Sequence, residues 1–171
     1  LEPGSLAHRQ ISPSPDKALE NRCDHLASLM LMPDPQFTNE LRRLKPSIAT
    51  VQKLSRSFFT SIQATALRVI DSASEPLVLL VSAFSDGKSG RRLRVKWSKY
   101  ARLEDGASQF IPKNASVNIS SALTAYQTPG ILSEIEDIVI GRFRINARVE
   151  SKGFGQGNTR YVLSLVYPDR R

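Results

Sequence analysis

Glu20 to Pro33 reads E-N-R-C-D-H-L-A-S-L-M-L-M-P, a carboxylate followed by an apolar helical pattern that stops at Met-Pro. Apolar residues fall at Leu19, Cys23, Leu26, Ala27 and Met30, and spacings of three and four lay them along one helix as a continuous stripe. Just upstream, Ser14, Pro15 and Asp16 form a helix start. They supply a hydroxyl for backbone N–H groups, a proline at the first helical position and an acid at the positive end of the dipole. Pro33 ends the helix, because the residue before a proline avoids the α region. The stripe is expected to be buried, with Glu20 at its margin, about 100° round the helix from Leu19. Cys23 sits on the stripe and behaves as a small hydrophobe, and His25 lies on a different face. No C-x-x-C or H-x-x-x-H spacing points to a closed tetrahedral metal site.

Downstream, Asp34 and Pro35 repeat the acid-and-proline start, and Phe37, Leu41 and Leu44 make a short apolar stripe that ends at Pro46. Ser47 caps a third helix, with Ile48, Val51, Leu54 or Ser55, and Phe58 on its inner side. Thr60 or Ser61 caps a fourth, in which Ile62, Ala66 and Val69 or Ile70 face inward. The last two look like a helix-turn-helix. A DNA-reading helix presents Arg, Lys, Asn or Gln near its N-terminus, and the fourth helix offers Gln63 and Arg68. Packing within a larger fold and contact with DNA are both readings of that pair, packing being the favoured one.

From Pro76 the period changes to two. Leu77 to Phe84 is a nearly continuous apolar run of strand length, fit for a buried strand. Asp86 to Gly90 is a turn signal, and Arg92 to Ser98 then alternates, so the two runs form a hairpin. Leu93, Val95 and Trp97 are expected on one face and Arg92, Arg94 and Lys96 on the other. Residues 101 to 130 are less regular, with an edge segment at Phe110 to Pro112 and a short helix capped by Asn118 or Ser120. Ile138 to Val149 reads as one strand, with Phe143, Ile145, Ala147 and Val149 inward and Arg142, Arg144 and Arg148 outward. Gly153 to Asn158 is a glycine-rich turn, without the Lys-Ser/Thr of a phosphate loop, and Arg160 to Tyr167 is a final strand. If the two basic strands neighbour each other, Arg92, Arg94, Lys96, Arg142, Arg144 and Arg148 form one positive surface, with Glu134, Glu136, Asp137 and Glu150 as internal counter-charges. That surface is either a solvated face or a docking site for nucleic acid or another partner.

The order of residues from Glu20 to Pro33 resembles the helix after the active-site helix in the ImmA/IrrE family of zinc metallopeptidases, roughly E-x-x-A/C-N/D-x-x-A-x-x-L-L-M-P. Val51 to Ile70 resembles, more loosely, the family's continuation. The resemblance implies that Glu20 is the third zinc ligand of an intact enzyme, and that the other two ligands and the general base lie on an H-E-x-x-H helix. This chain, whose histidines are His8 and His25, does not contain that motif. Leu1 to Ser5 is either a cloning remnant or the native continuation of such a helix, and truncation of a longer protein is favoured over an inactive relative. The resemblance further implies zinc in the intact protein and none held by this chain. Its partner would be a protein substrate such as a helix-turn-helix repressor, and its C-terminal domain would resemble a GAF sensor fold.

Length and composition frame these expectations. The chain has 171 residues, 40% hydrophobic and 23% charged, as in ordinary soluble globular proteins. It carries no apolar run of bilayer length and no signal-peptide pattern, so no membrane partner is expected. A single cysteine excludes an internal disulfide framework and fits a reducing cytoplasm. The net charge of +8 favours anionic partners, DNA among them. The expected fold is α+β: about four N-terminal helices, then a mostly antiparallel β domain. The expected divisions are a metallopeptidase remnant over 1–46, helix-turn-helix-like helices over 47–74 and a β-rich domain over 75–171. The alternatives to the peptidase are a DNA-binding regulator and a noncatalytic interaction module.

Overall fold

A computed structural model of the chain describes residues 15–86, 90–101, 111–140 and 143–168. The expected N-terminal loop, Ser14, most of the 86–90 turn, Phe110 and Arg142 lie outside the described residues. In chain order the elements are α1 (Pro15–Leu31), α2 (Asp34–Leu44), α3 (Ile48–Ser57), α4 (Ile62–Asp71), β1 (Leu77–Ser85), β2 (Arg92–Ala101), α5 (Ser120–Gln127), β3 (Leu132–Ile140), β4 (Phe143–Phe154) and β5 (Tyr161–Pro168). A 3-10 turn, Gly157–Thr159, precedes β5. The protein is α+β, with one five-stranded antiparallel sheet in the order β2-β1-β5-β4-β3.

Serine caps start α3 and α4. The Ser47 hydroxyl accepts from Thr50 N–H and starts α3, and Ser61, rather than Thr60, accepts from Ala64 N–H and starts α4. Helices α2 to α4 cover one face of the sheet. Phe37, Val51, Leu54, Val69 and Ile70 pack there against Leu79, Val81, Leu163 and Leu165. Segments assigned by sequence to 1–46, 47–74 and 75–171 therefore share one core. On the opposite face α5 closes a second core over Val78, Leu80, Val149, Val162 and Val166. Alternation along β1 and β5 divides their apolar residues between the two cores, which is why both strands read as continuous apolar runs.

Three expectations are corrected. The single strand from Ile138 to Val149 is a hairpin, β3 and β4, with Ile140 paired to Phe143. The Leu132 to Asp137 half of β3 escaped sequence reading because none of its residues is buried, in contrast to Ile138 and Ile140, so burial imposes no alternation there. Next, Leu93, Val95 and Trp97 do not share a face. The β1–β2 register shifts between Val81 and Ser82, which pair with Trp97 and Val95, so Lys96 is an extra residue in a bulge. The bulge sends Trp97 to the core under the helices while Leu93 and Val95 stay in the core under α5. Finally, α5 is capped by neither Asn118 nor Ser120. Its first residue outside is Ile119, and the Glu136 carboxylate of β3 reaches across to accept from Ser120 N–H, Ser121 N–H and the Ser121 hydroxyl.

The segment from Ile111 to Ile119 runs along the far edge of β2. Val95 N–H donates to Ala115 O, Asn114 N–H to Val95 O and Val117 N–H to Leu93 O, and Asn118 then bridges to Val139 of β3. One strap thus touches both outer strands and closes the second core.

Candidate functional site

Glu20 lies on α1 and is exposed. The stripe beside it is continuous, as the spacing requires, but it is not buried: Leu19 is 63%, Leu26 59% and Met30 82% exposed, and Cys23 is exposed as well. The anchor of α1 is at its end, where Met32 is fully buried and its sulfur accepts from the Thr60 hydroxyl at 3.7 Å. Sequence periodicity reports that a helix has an apolar side; it does not say that a covering element is present.

Among the described residues, no group of three or more His, Cys, Asp or Glu side chains is placed to hold a metal ion. Glu20 supplies one carboxylate, whereas a catalytic zinc takes three protein ligands and a water. The donor set of the described residues does not fit a catalytic zinc, and no step of a zinc-assisted hydrolysis follows from it.

The helix-turn-helix-like pair is present as α3 and α4, but α4 rests on β1 and β2 and its polar residues are engaged inward. Arg68 is only 6% exposed, pairs with Asp34 of α2 and sits over the Phe37 ring. Gln63 hydrogen-bonds Tyr161 of β5, whose hydroxyl pKa burial raises despite that bond. Arg68 is thus packed inward, and Gln63 is half-buried against the sheet.

The two basic strands do not neighbour each other, since β1 and β5 separate β2 from β4. On β4, Arg148 and Arg144 are exposed and lie on the side of α2 to α4, and Arg142 falls outside the described residues. Arg148 is paired with Glu150 and stacks over Tyr167 at 4.7 Å. Glu150 in turn is buried and accepts from Ile48 N–H, the first amide of α3, at 3.0 Å. The Tyr167 hydroxyl donates to Pro46 O at 3.3 Å. Burial pushes its pKa far above the ordinary phenol range, the Glu150 charge and hydrogen bond add to the rise, and Arg148 opposes them. Of the expected acidic partners, Glu150 pairs with Arg148 of β4, Asp137 accepts from Asn146 and Glu136 caps α5.

On β2, Arg92 and Lys96 are exposed and Arg94 is half-buried, its guanidinium donating to Asn114 O at 2.9 Å. Exposed Lys113 stands beside them, a residue the sequence did not single out because 111–119 has no strand period, whereas Arg91 lies over the Phe84 ring on the α5 side. A cleft of about 470 Å³ opens between the end of α2 and residues 72–75, with Arg42, Lys45 and Glu75 on its walls. None of the site residues expected from sequence lines it.

Comparison with protein-family models finds no match, and comparison with curated proteins finds none. No helix among the described residues is long and apolar enough to cross a membrane.

Proposed function

We propose that this chain is the C-terminal part of an ImmA/IrrE-like zinc metallopeptidase, whose intact form cleaves a protein such as a helix-turn-helix repressor. The observation that carries the reading is α1, a helix fixed to the core by Met32 with a solvent-exposed apolar stripe and Glu20 at the stripe's edge. A stripe of that length normally buries itself against another helix. An upstream H-E-x-x-H helix laid on it would bring two histidines beside Glu20 and complete a three-ligand zinc site. The chain by itself is inactive on this reading. A five-stranded antiparallel sheet with helices on both faces is also what a GAF-like sensor domain would require, and that part of the proposal rests on architecture alone.

The test is to express the protein together with the residues encoded immediately upstream of Leu1 and to measure zinc by elemental analysis. An upstream H-E-x-x-H, with one zinc per chain that is lost in Glu20→Gln, is the expected result. Absence of the motif, or zinc retained undiminished in Glu20→Gln, overturns the proposal.

A further inference from the structure

We infer that the outer margin of β2, with the strap beside it, is a contact surface for the phosphate backbone of a nucleic acid. It lies apart from the helix-turn-helix-like pair and does not depend on the peptidase reading. The surface is made by Arg92, Arg94, Lys96 and Lys113. Arg92 and Arg94 are two residues apart on one strand face, about 7 Å. The bulge carries Lys96 onward, and the Asn114 to Val95 hydrogen bond sets Lys113 alongside it. Among the described residues, Arg92, Lys96 and Lys113 have no acidic partner, in contrast to Lys99 of the same strand, which pairs with Asp71. Like charges gathered within a Debye length cost folding free energy, and an anion between them offsets that cost.

The hydrogen-bond pattern decides what kind of anion fits. An acidic peptide would gain most by adding as a strand to this edge. The amide and carbonyl of Val95 and the carbonyl of Leu93 are already taken by the strap, so the ladder is closed there. Recognition has to come from side chains alone. A phosphate backbone is bound that way, by Lys and Arg charges that fix position without reading sequence. The run from Arg92 to Lys96 covers about 13 Å, which matches roughly four phosphates of one strand at about 3.4 Å each. Arg94 is held by Asn114 O through one of its five donors, which leaves its guanidinium oriented with others free for phosphate.

Fluorescence anisotropy with a labelled duplex and a labelled single strand of mixed sequence, at salt between about 50 and 200 mM, tests the inference. Binding is expected to weaken with salt at a logarithmic slope of about −3 to −4 on the duplex, and less steeply on the single strand. The combined variant Arg92→Glu, Lys96→Glu, Lys113→Glu should lose at least about tenfold in affinity and about 3 in slope. The charge-matched control Arg43→Glu, Lys53→Glu, Arg56→Glu, three reversals at exposed positions of α2 and α3, should retain the β2 share of both. Far-UV circular dichroism checks that both variants are folded. Equal losses in the two variants would reduce the effect to bulk charge and overturn the inference. So would negligible binding at the lowest salt, or displacement of the nucleic acid by an equimolar polyglutamate peptide.

Discussion

The Glu150 carboxylate accepts the backbone N–H of Ile48 at 3.0 Å, tying the first turn of α3 to the interior of β4 across 102 residues of sequence. A helix N-terminus favours an acid, but here the acid comes from the sheet, so one side chain caps a helix and joins two layers. Replacing Glu150 by Ala leaves a buried amide without a partner and Arg148 without its counter-ion. Arg148 is half exposed and its ion pair contributes little, so the orphaned amide and lost packing dominate. Urea denaturation should show a loss of about 2–4 kcal/mol for Glu150→Ala and about 1 kcal/mol or less for Arg148→Ala.

Tyr167 makes the same junction sensitive to alkali. Its folded pKa is raised, so the native state holds the phenol proton more tightly than the unfolded chain. The contribution to stability is complete below the ordinary value near 10 and is lost as pH climbs above it. The urea midpoint of the wild type should therefore fall between about pH 10 and 11.5, and that part of the fall should vanish in Tyr167→Phe. Parallel curves for the two proteins would contradict this role.

Gly153 on β4 marks where α5 rests most closely on the sheet. A Cβ there would overlap the Ala125 carbonyl oxygen, backbone that cannot turn aside. Gly153→Ala should cost about 2–3 kcal/mol through overpacking, even though alanine suits a strand better than glycine. A thermal midpoint equal to wild type would show that α5 can shift freely.

Arg68 separates a structural role from DNA reading. Its side chain fills space beside Phe37, its Nε has no hydrogen-bond partner among the described residues, and its ion-pair partner Asp34 is largely exposed. Arg68→Ala should lose about 2–3 kcal/mol, while Arg68→Met, which keeps the volume, should cost less than about 1 kcal/mol. Neither should change the salt slope of nucleic-acid binding by a full phosphate contact. A slope reduced by about 1 in folded Arg68→Met would restore α4 as a contact helix.

Leu26 and Met30 on α1 give a paired test of the peptidase proposal. Both are exposed, so Leu26→Lys and Met30→Lys should change the stability of this chain by no more than about 0.5 kcal/mol. In the protein extended upstream, the same substitutions should cost several-fold in zinc affinity, because they would charge the seam against the histidine helix. Zinc affinity unmoved by both would remove the stripe as support for that seam.

Sequence by itself determined the local chemistry of this protein. Ser47 starts a helix, Pro33 and Pro46 punctuate the helical region, and Leu77 to Val81 is apolar throughout, because caps, proline geometry and periodicity act over a few residues. The same short range made the Leu132 to Asp137 half of β3 illegible, since an exposed edge segment owes its conformation to its neighbour and not to its own pattern. Only the tertiary structure decided that a bulge at Lys96 turns Trp97 to the other core, that Glu136 and Glu150 cap helices far along the chain, and that β1 and β5 stand between the two basic strands. It also decided the surroundings of Glu20: periodicity gave its helix an apolar side, and the three-dimensional arrangement left that side open. Contacts between residues distant in sequence depend on how whole layers pack, and no local spacing carries that information.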